Sequence, residues 1–464
     1  MGQETLQRLF EAGSVPHALA QHFRAHGEEL YLAGGAIRDA LFGAEESEVN
    51  FDFATSALPD VSFELLSSYP RARPFRVGEK YGTIGARLDT GLIEVTTYRV
   101  DEQYDLGSRK PTVEFGRSLE ADLARRDFTI NSMALDPLNG SLIDPFGGVQ
   151  DISKRLVRAV GDPRRRFAED PLRLLRAVRF AARFDGVIER GTWSAILGSA
   201  EGVRSISRER VRDEYSRMLV GNRPSRALAA LRDSGLILSS VPQLLELTRM
   251  HDHGPRHPLG LWEHEMRVVE AVSPRPNLRW AALLHDIAKP RTRSHEPDGR
   301  PRFFHHEEIG AEMARHILSG LRYSNNFIEE VARVVETHMQ LHAYADDWSD
   351  GAVRRLMMRL GPQLGNAIEL ARADAAAHGE MGRSDNAWKF DALEARLSEL
   401  NQVSTSNLKS PLSGDELMQR YDRPPGPWIA KIKNELEDEV VEGRLSPNDR
   451  EQAWSIADTL VDQA

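Results

Sequence analysis

The chain of 464 residues is 41% hydrophobic and 28% charged, the balance of a globular protein large enough for about two to four domains. It has no cysteine, which excludes a disulfide framework and any cysteine-based zinc site. A net charge of −10 requires any nucleic-acid partner to meet a local basic surface, because the chain as a whole repels a polyanion.

Residues 1–27 carry helical periodicity, include acids and lack an apolar core of signal-peptide length. No run approaches the roughly 18 apolar residues of a membrane span, so a cytoplasmic chain without membrane contact is expected. "ELYLAGGAIRDALFG" (29–43) reads as strand, tight turn and helix, and "EVNFDFATS" (48–56), "TIGARLD" (83–89) and "GLIEVTTYRV" (91–100) read as strands. Turn signals fall at Gly-Gly, Leu-Pro-Asp and "DPFGG" (144–148), so the first 150 residues are mixed α/β. From about residue 165 apolar residues recur at steps of three and four, and the rest reads as helical, with loops at 295–302 and 402–414.

Four pieces of the chain carry chemistry. Gly34 and Gly35 let the backbone approach a triphosphate at a helix N-terminus, and Arg38 follows within about a turn, placed to fork onto phosphate oxygens. Asp52 lies on the next strand, and position 50 faces the same way, so the pair suits divalent-cation ligands. "LARRDFTINSMALD" brings Arg125, Arg126 and Asp127 before an apolar run. In "AEDPLRLLRAVRFAARF" Asp170 precedes Pro171, and Arg173, Arg176, Arg179 and Arg183 recur on one helical face. Like charges in a row are destabilising unless something anionic meets them; a nucleotide or RNA is one candidate and solvent the plainer one.

Together these pieces resemble the class II tRNA nucleotidyltransferases, the CCA-adding enzymes, and their relatives the bacterial poly(A) polymerases. "GGAIRDALFG" looks like the family's opening motif, "NFDFATSA" its metal strand, "RRDFTIN" its ribose motif and "DPFGG" its hinge. "EDPLR" resembles its protein template, in which Asp170 and Arg173 would read the Watson–Crick edge of the incoming base, and "SRERVRDE" (207–214) its last neck motif. The resemblance implies a polymerase-β-like nucleotidyltransferase palm as an α/β head, then an all-α neck, body and tail. It implies template-independent addition of CCA to the 3′ end of tRNA from CTP and ATP with Mg²⁺. Gly34, Gly35, Arg38, Asp127, Asp170, Arg173, Arg176 and Arg179 would bind the nucleotide, and Asp52, Asn50 and Arg126 would serve catalysis. The segment 96–111 matches in length the flexible loop of full CCA-adding members.

One position departs from the pattern. The family carries Asp-x-Asp, whereas this chain has Asn50-Phe51-Asp52. Asparagine offers a carbonyl oxygen without charge, and Glu48 or Glu94 is the candidate to compensate. Two other readings follow: a poly(A) polymerase, and an RNA-binding protein with an impaired head whose only chemistry lies elsewhere.

That other chemistry is a histidine set. His264, then His285-Asp286, then Asp374 match the ligand order of the HD superfamily of metal-dependent phosphohydrolases, with His306 and His338 in support. Imidazoles with carboxylates suit Mn, Fe, Ni, Co or Zn. The expected division is 1–160 head, 161–240 neck, 241–400 HD-type domain and 401–464 tail, with tRNA, CTP and ATP as partners and no DNA.

Overall fold

Between residues 30 and 143 the alternating and β-branched segments build one seven-stranded sheet. In this computed structural model the described residues are 2–43, 51–76, 78, 81–103, 112–250, 260–297, 301–345, 347–378, 380–401 and 410–461. They divide into two units, Met1–Gln243 and Leu244–Ala464. Asn50, Glu48 and residues 104–111 of the expected flexible loop lie outside the described residues.

The strands of the first unit are β1 (Leu30–Ala33), β2 (Phe51–Thr55), β3 (Arg73–Phe75), β4 (Thr83–Leu88), β5 (Gly91–Thr97), β6 (Arg99–Gln103), β7 (Thr112–Phe115), β8 (Ala134–Leu135) and β9 (Leu142–Ile143). The large sheet runs β3-β4-β5-β2-β1-β8-β9, antiparallel except that β2 and β5 are parallel. Leu32, Phe53, Ile84, Val95 and Leu135 fill its core. Strands β6 and β7 pair as a hairpin, so the expected loop begins in ordered ladder. The stretch 1–27 is two helices, Gly2–Arg8 and Val15–Ala25, rather than one. Ser14 caps the second by accepting from His17 N–H, and periodicity alone does not register such a cap.

After the sheet the chain is helical. Gly148 of "DPFGG" is required by space: a Cβ there would run into the Thr129 carbonyl. Asp144 accepts from the Gly148 and Val149 N–H groups at 2.7 and 2.9 Å, fixing the turn. Helix Pro163–Glu169 ends where Asp170 turns extended, and helix Leu172–Arg183 begins after Pro171. Its Leu174, Leu175, Ala177 and Val178 are buried. Helices Arg190–Ser199, Arg208–Leu219 and Pro224–Asp233 follow.

In the second unit helices Leu261–Ala271, Pro276–Leu284, His306–Gly320, Asn325–His342 and Leu364–Ala377 pack on one another around Trp280, Leu283, Val335 and Leu370. The expected loop at 295–302 is instead flanked by a short hairpin, Arg293–His295 with Pro301–Phe303. The last helices, Gly414–Tyr421, Pro427–Val441 and Arg450–Val461, close a cluster of their own around Leu417, Ile432, Leu436 and Ala453. No helix among the described residues is long and apolar enough to cross a membrane.

Candidate functional site

Gly34, Gly35, Arg38, Asp52, Arg125, Arg126, Asp127, Asp170 and the arginine row from Arg173 to Arg183 line one cleft of about 460 Å³ in the first unit, whereas Glu94 is not part of its lining. Eight arginines and three aspartates face it, so an acidic chain does carry a local basic surface. Asn131, Leu172, Phe180 and Arg210 complete the lining.

Gly34 forms the turn from β1 into helix Gly35–Leu41 at φ 78°, a conformation that favours glycine, and an added Cβ would lie 3.0 Å from Arg126 Nη1. The turn therefore brings backbone and guanidinium together at the cleft wall. Arg126 is held there by Asp122 at 3.1 Å and donates to the Asn131 carbonyl at 3.3 Å.

Asp52 is exposed on β2, the second residue of that strand, and pairs in parallel register with Glu94 on β5. Paired residues of neighbouring strands point to the same face, so the two carboxylates stand side by side. Surrounding protein pushes the Asp52 carboxyl above its usual range, and the Glu94 charge adds to the effect. Two acids held together in this way suit a divalent cation between them.

Arg38 is committed to the protein. It forks onto Asp39 with two bonds of 2.9 Å and donates to Asn131 Oδ1 at 2.5 Å. Its guanidinium also lies over the Phe180 ring, 5.0 Å from the centroid. Instead of reaching outward to an anion, as its position in the sequence suggests, it anchors a network. The Asn131 amide donates to Asp127 Oδ1 at 2.9 Å, and Asp127 Oδ2 accepts from Arg176 Nε at 2.7 Å. Burial would raise the Asp127 carboxyl; Arg176 and Asn131 outweigh it and hold the group below the usual carboxylate range.

The arginine row on helix Leu172–Arg183 is met by a matching set of acids. Arg173 pairs with Glu169 at 2.9 Å, Arg176 with Asp127 at 2.6 Å, Arg179 with Glu214 at 2.6 Å and Arg183 with Asp39 at 3.1 Å. The anions that stabilise the row thus come from four other positions of the chain. The Arg179–Glu214 pair is buried, with residue exposures of 9% and 2%. Breaking a buried pair by removing one partner costs about 3–5 kcal/mol. Glu214→Ala should therefore lower the unfolding free energy by about 3 kcal/mol, with Glu214→Gln milder; denaturant unfolding followed by circular dichroism measures it.

Asp170 and Arg173 flank the same wall but are separately clamped. Asp170 receives two bonds from Arg210, at 3.2 and 2.7 Å, and accepts from Leu172 N–H at 3.1 Å. Arg173 also donates to the Arg125 carbonyl at 3.1 Å. Arg210 and Glu214 belong to "SRERVRDE", whose part in the cleft rests on pairings across 40 and 35 residues.

The second unit gathers its histidines. His264 Nε2 lies 3.0 Å from Asp374 Oδ1, and His285 Nε2 lies 3.5 Å from Asp286 Oδ2 and 3.8 Å from Asp374 Oδ1. On the other side of Asp286, Oδ1 lies 3.3 Å from His306 Nε2 and 3.7 Å from His338 Nε2. Asp286 thus faces two groups of imidazoles with its two oxygens. Three rings have settled tautomers: Nδ1 of His285, His306 and His338 meets the carbonyls of Ala282, Phe303 and Val335 at 3.0, 2.8 and 2.6 Å. A carbonyl only accepts, so each Nδ1 carries hydrogen and each Nε2 is the nitrogen that faces inward. The Nε2 atoms of His306 and His338 are 3.3 Å apart, close for two lone pairs without a cation or proton between them.

Asp286 Oδ1 and Oδ2, Asp374 Oδ1 and His285 Nε2 are buried without a hydrogen bond of good geometry. Burial would raise the Asp286 carboxyl, but the Lys289 ammonium against Oδ2 and His285 hold it well below its usual range. Burial likewise opposes, and His264, His285, His342 and His378 outweigh, in holding Asp374 well below. Charged carboxylates among imidazoles form the donor set of a divalent transition metal. His378, 3.2 Å from Asp374 Oδ1, and His342, 2.8 Å from Oδ2, join the set beyond the four residues expected.

Comparison with known proteins accords with this geometry. Residues 30–158 match the family model of the poly A polymerase head domain, 256–378 that of the HD domain, and 187–247 that of a probable RNA and SrmB-binding site of polymerase A. The CCA-adding enzyme of Geobacillus sp. (strain WCH70) is 30% identical over 446 residues, covering 96% of this chain and 96% of that protein. That of Geobacillus kaustophilus (strain HTA426) is 42% identical over 218 residues, 47% of this chain and 52% of its own. The crystal structure of the Bacillus stearothermophilus CCA-adding enzyme in complex with CTP superposes with a TM-score of 0.70 at 25% identity, covering 97% of this chain and 99% of that one. A Thermotoga maritima CCA-adding enzyme complexed with tRNA shares the fold, with a TM-score of 0.58 at 18% identity over 99% of this chain and 98% of its own. With a polymerase head, an HD domain and full-length likeness to these proteins, the chain belongs to the CCA-adding enzyme family.

Proposed function

We propose that this protein builds or repairs the 3′-CCA end of tRNA, adding CMP and AMP residues from CTP and ATP with release of pyrophosphate and without a nucleic-acid template. The observation that carries the reading is the single basic cleft into which the Gly34 turn, Asp52, Arg126, Asp127, Asp170 and Arg173 all open. In this reading Gly34 and Gly35 admit the triphosphate, Arg126 and the helix arginines offset its charge, and Arg38, Asn131 and Asp127 keep that wall rigid. Asp52, with Glu94 beside it and Asn50 two residues back, would hold Mg²⁺, which when bound assists the tRNA 3′-hydroxyl in attacking the α-phosphate as pyrophosphate leaves. We assign the head to 1–160, the neck to 161–240, the HD-type domain to 241–400 and the tail to 401–464, in a cytoplasmic protein.

The test is purified protein with tRNA lacking CCA, given each NTP alone and all together, resolved at one nucleotide. CMP, CMP, AMP in order supports the reading. A long A-only extension without CTP makes the protein a poly(A) polymerase, and no extension leaves only the HD chemistry.

Base choice depends on the clamped pair. An Asp170 carboxylate accepts from an exocyclic amine and the Arg173 guanidinium donates to a ring nitrogen or carbonyl, which suits C and A and disfavours G and U. Arg210 holds Asp170 by both oxygens. Arg210→Ala should lower the preference for CTP over UTP by about tenfold, about 1.4 kcal/mol, with a smaller change in apparent KM for CTP. Asp170→Ala should relax base choice further. Unchanged selectivity with weakened binding alone would remove the pair from the template role.

A second activity is supported by the histidine cluster. We propose metal-dependent phosphohydrolysis at His264, His285, Asp286 and Asp374, with His306 and His338 forming a second metal position across Asp286. The donor set suits Mn, Fe, Ni, Co or Zn.

A further inference from the structure

One buried acid beside this cluster takes no part in the ligand set. Glu265 follows His264 on helix Leu261–Ala271 and has 0% exposure, as has His285. Its Oε2 lies 3.1 Å from His285 Nδ1, the nitrogen that also meets the Ala282 carbonyl at 3.0 Å. Neither Glu265 oxygen makes a hydrogen bond of good geometry. An acid is a poor packing residue in a dry interior unless it interacts with a donor or a cation there.

The His285 ring explains the placement. Its Nδ1–H points back towards Glu265 and Ala282, which leaves Nε2 facing Asp286 and Asp374. A carboxylate behind a metal-binding imidazole fixes its tautomer and orientation and makes the outer nitrogen more basic. His264 and Glu265, consecutive on one helix, would then serve the same centre in two ways, the first from within the ligand set and the second from behind it.

We infer that Glu265 is a positioning residue of the HD centre, holding the His285 imidazole so that Nε2 faces a divalent transition metal. The inference rests on the metal-binding reading of this cluster. Glu265 touches neither substrate nor metal; it acts through His285.

The test uses the full chain, with Co²⁺ as probe, and compares the parent with Glu265→Gln and Glu265→Leu. Thermal unfolding under chelator reports whether the metal-free fold survives. Co²⁺ affinity, by competition with a chelator, and the visible absorption of the bound ion report the centre. Loss of such a supporting partner typically weakens metal binding by about 10- to 100-fold. That loss is expected for Glu265→Leu, with Glu265→Gln intermediate because its amide keeps an oxygen of similar place and size beside Nδ1 without the charge, and with the Co²⁺ bands shifted in both. If Glu265→Leu does not fold, the Gln variant decides alone. Affinity within about twofold of the parent and unchanged bands in every folded variant overturn the role of Glu265. A parent chain that takes up no Co²⁺ overturns the metal reading itself, and the role with it.

Discussion

Replacing Asp52 with alanine should abolish nucleotide addition, a loss of at least about 10³-fold or about 4 kcal/mol, read as single-turnover extension of tRNA lacking CCA. The chain has no other aspartate on β2, and Asn50 contributes at most an uncharged oxygen. While Glu48 lies outside the described residues, the neighbouring acid among them is Glu94, opposite Asp52 in the sheet register. Its proximity makes a definite forecast possible for the unusual position 50. If Glu94 already supplies the charge that an aspartate would bring, Glu94→Gln costs more than about tenfold and Asn50→Asp gains little. If it does not, Asn50→Asp raises the rate by about 10²-fold and Glu94→Gln is mild. The pH dependence follows in sign. Protein around Asp52, and then the Glu94 charge, raise its carboxyl pKa, so protonation begins above the ordinary carboxylate range and competes with the cation. Apparent Mg²⁺ affinity should therefore fall as pH drops while still above that range. Parent-like activity in Asp52→Ala would remove this strand from the metal site altogether.

The cleft was legible because its residues sit in short motifs with distinctive spacing: a Gly-Gly turn, a strand acid, Arg-Arg-Asp and Asp-Pro-x-Arg. Their partners were not. Glu214 neutralises Arg179 across 35 residues and Asp39 reaches Arg183 across 144, pairings that only the folded chain creates. From the sequence the arginine row looked short of counter-charge, and an external anion was the natural candidate. Arg38 shows the same limit, since its helix position and its neighbour Asp39 were visible but the Asn131 acceptor, 93 residues on, is brought to it only by the fold. In the second unit the ligand order His, His-Asp, Asp was readable. Glu265 was not, because in "LWEHEMRVVEA" it resembles the solvated glutamates on either side, and burial has no signature in residue type.

Replacing Asp286 with asparagine should remove metal-stimulated phosphatase or cyclic phosphodiesterase activity by about 10³-fold, about 4 kcal/mol, while tRNA extension by the head stays largely intact. The argument is that this one side chain serves both groups of imidazoles: Oδ2 faces His285, and Oδ1 faces His306 and His338. Asparagine preserves volume, so the change tests charge rather than packing. It also leaves the Lys289 ammonium, now against Oδ2, without that counter-charge in a half-buried place. Some destabilisation is expected for that reason, and intact tRNA extension together with helical circular dichroism would separate it from a specific loss. His285→Ala should be comparably severe, and the double variant little worse than either, because ligands that act as a unit are not additive. His306→Ala discriminates between one metal and two. If only the position at His264, His285, Asp286 and Asp374 matters, metal content and activity survive. If Asp286 joins two ions, one equivalent of metal is lost and activity falls with it. An Asp286→Asn protein that keeps both metal content and phosphohydrolase rate would assign this unit a purely structural role.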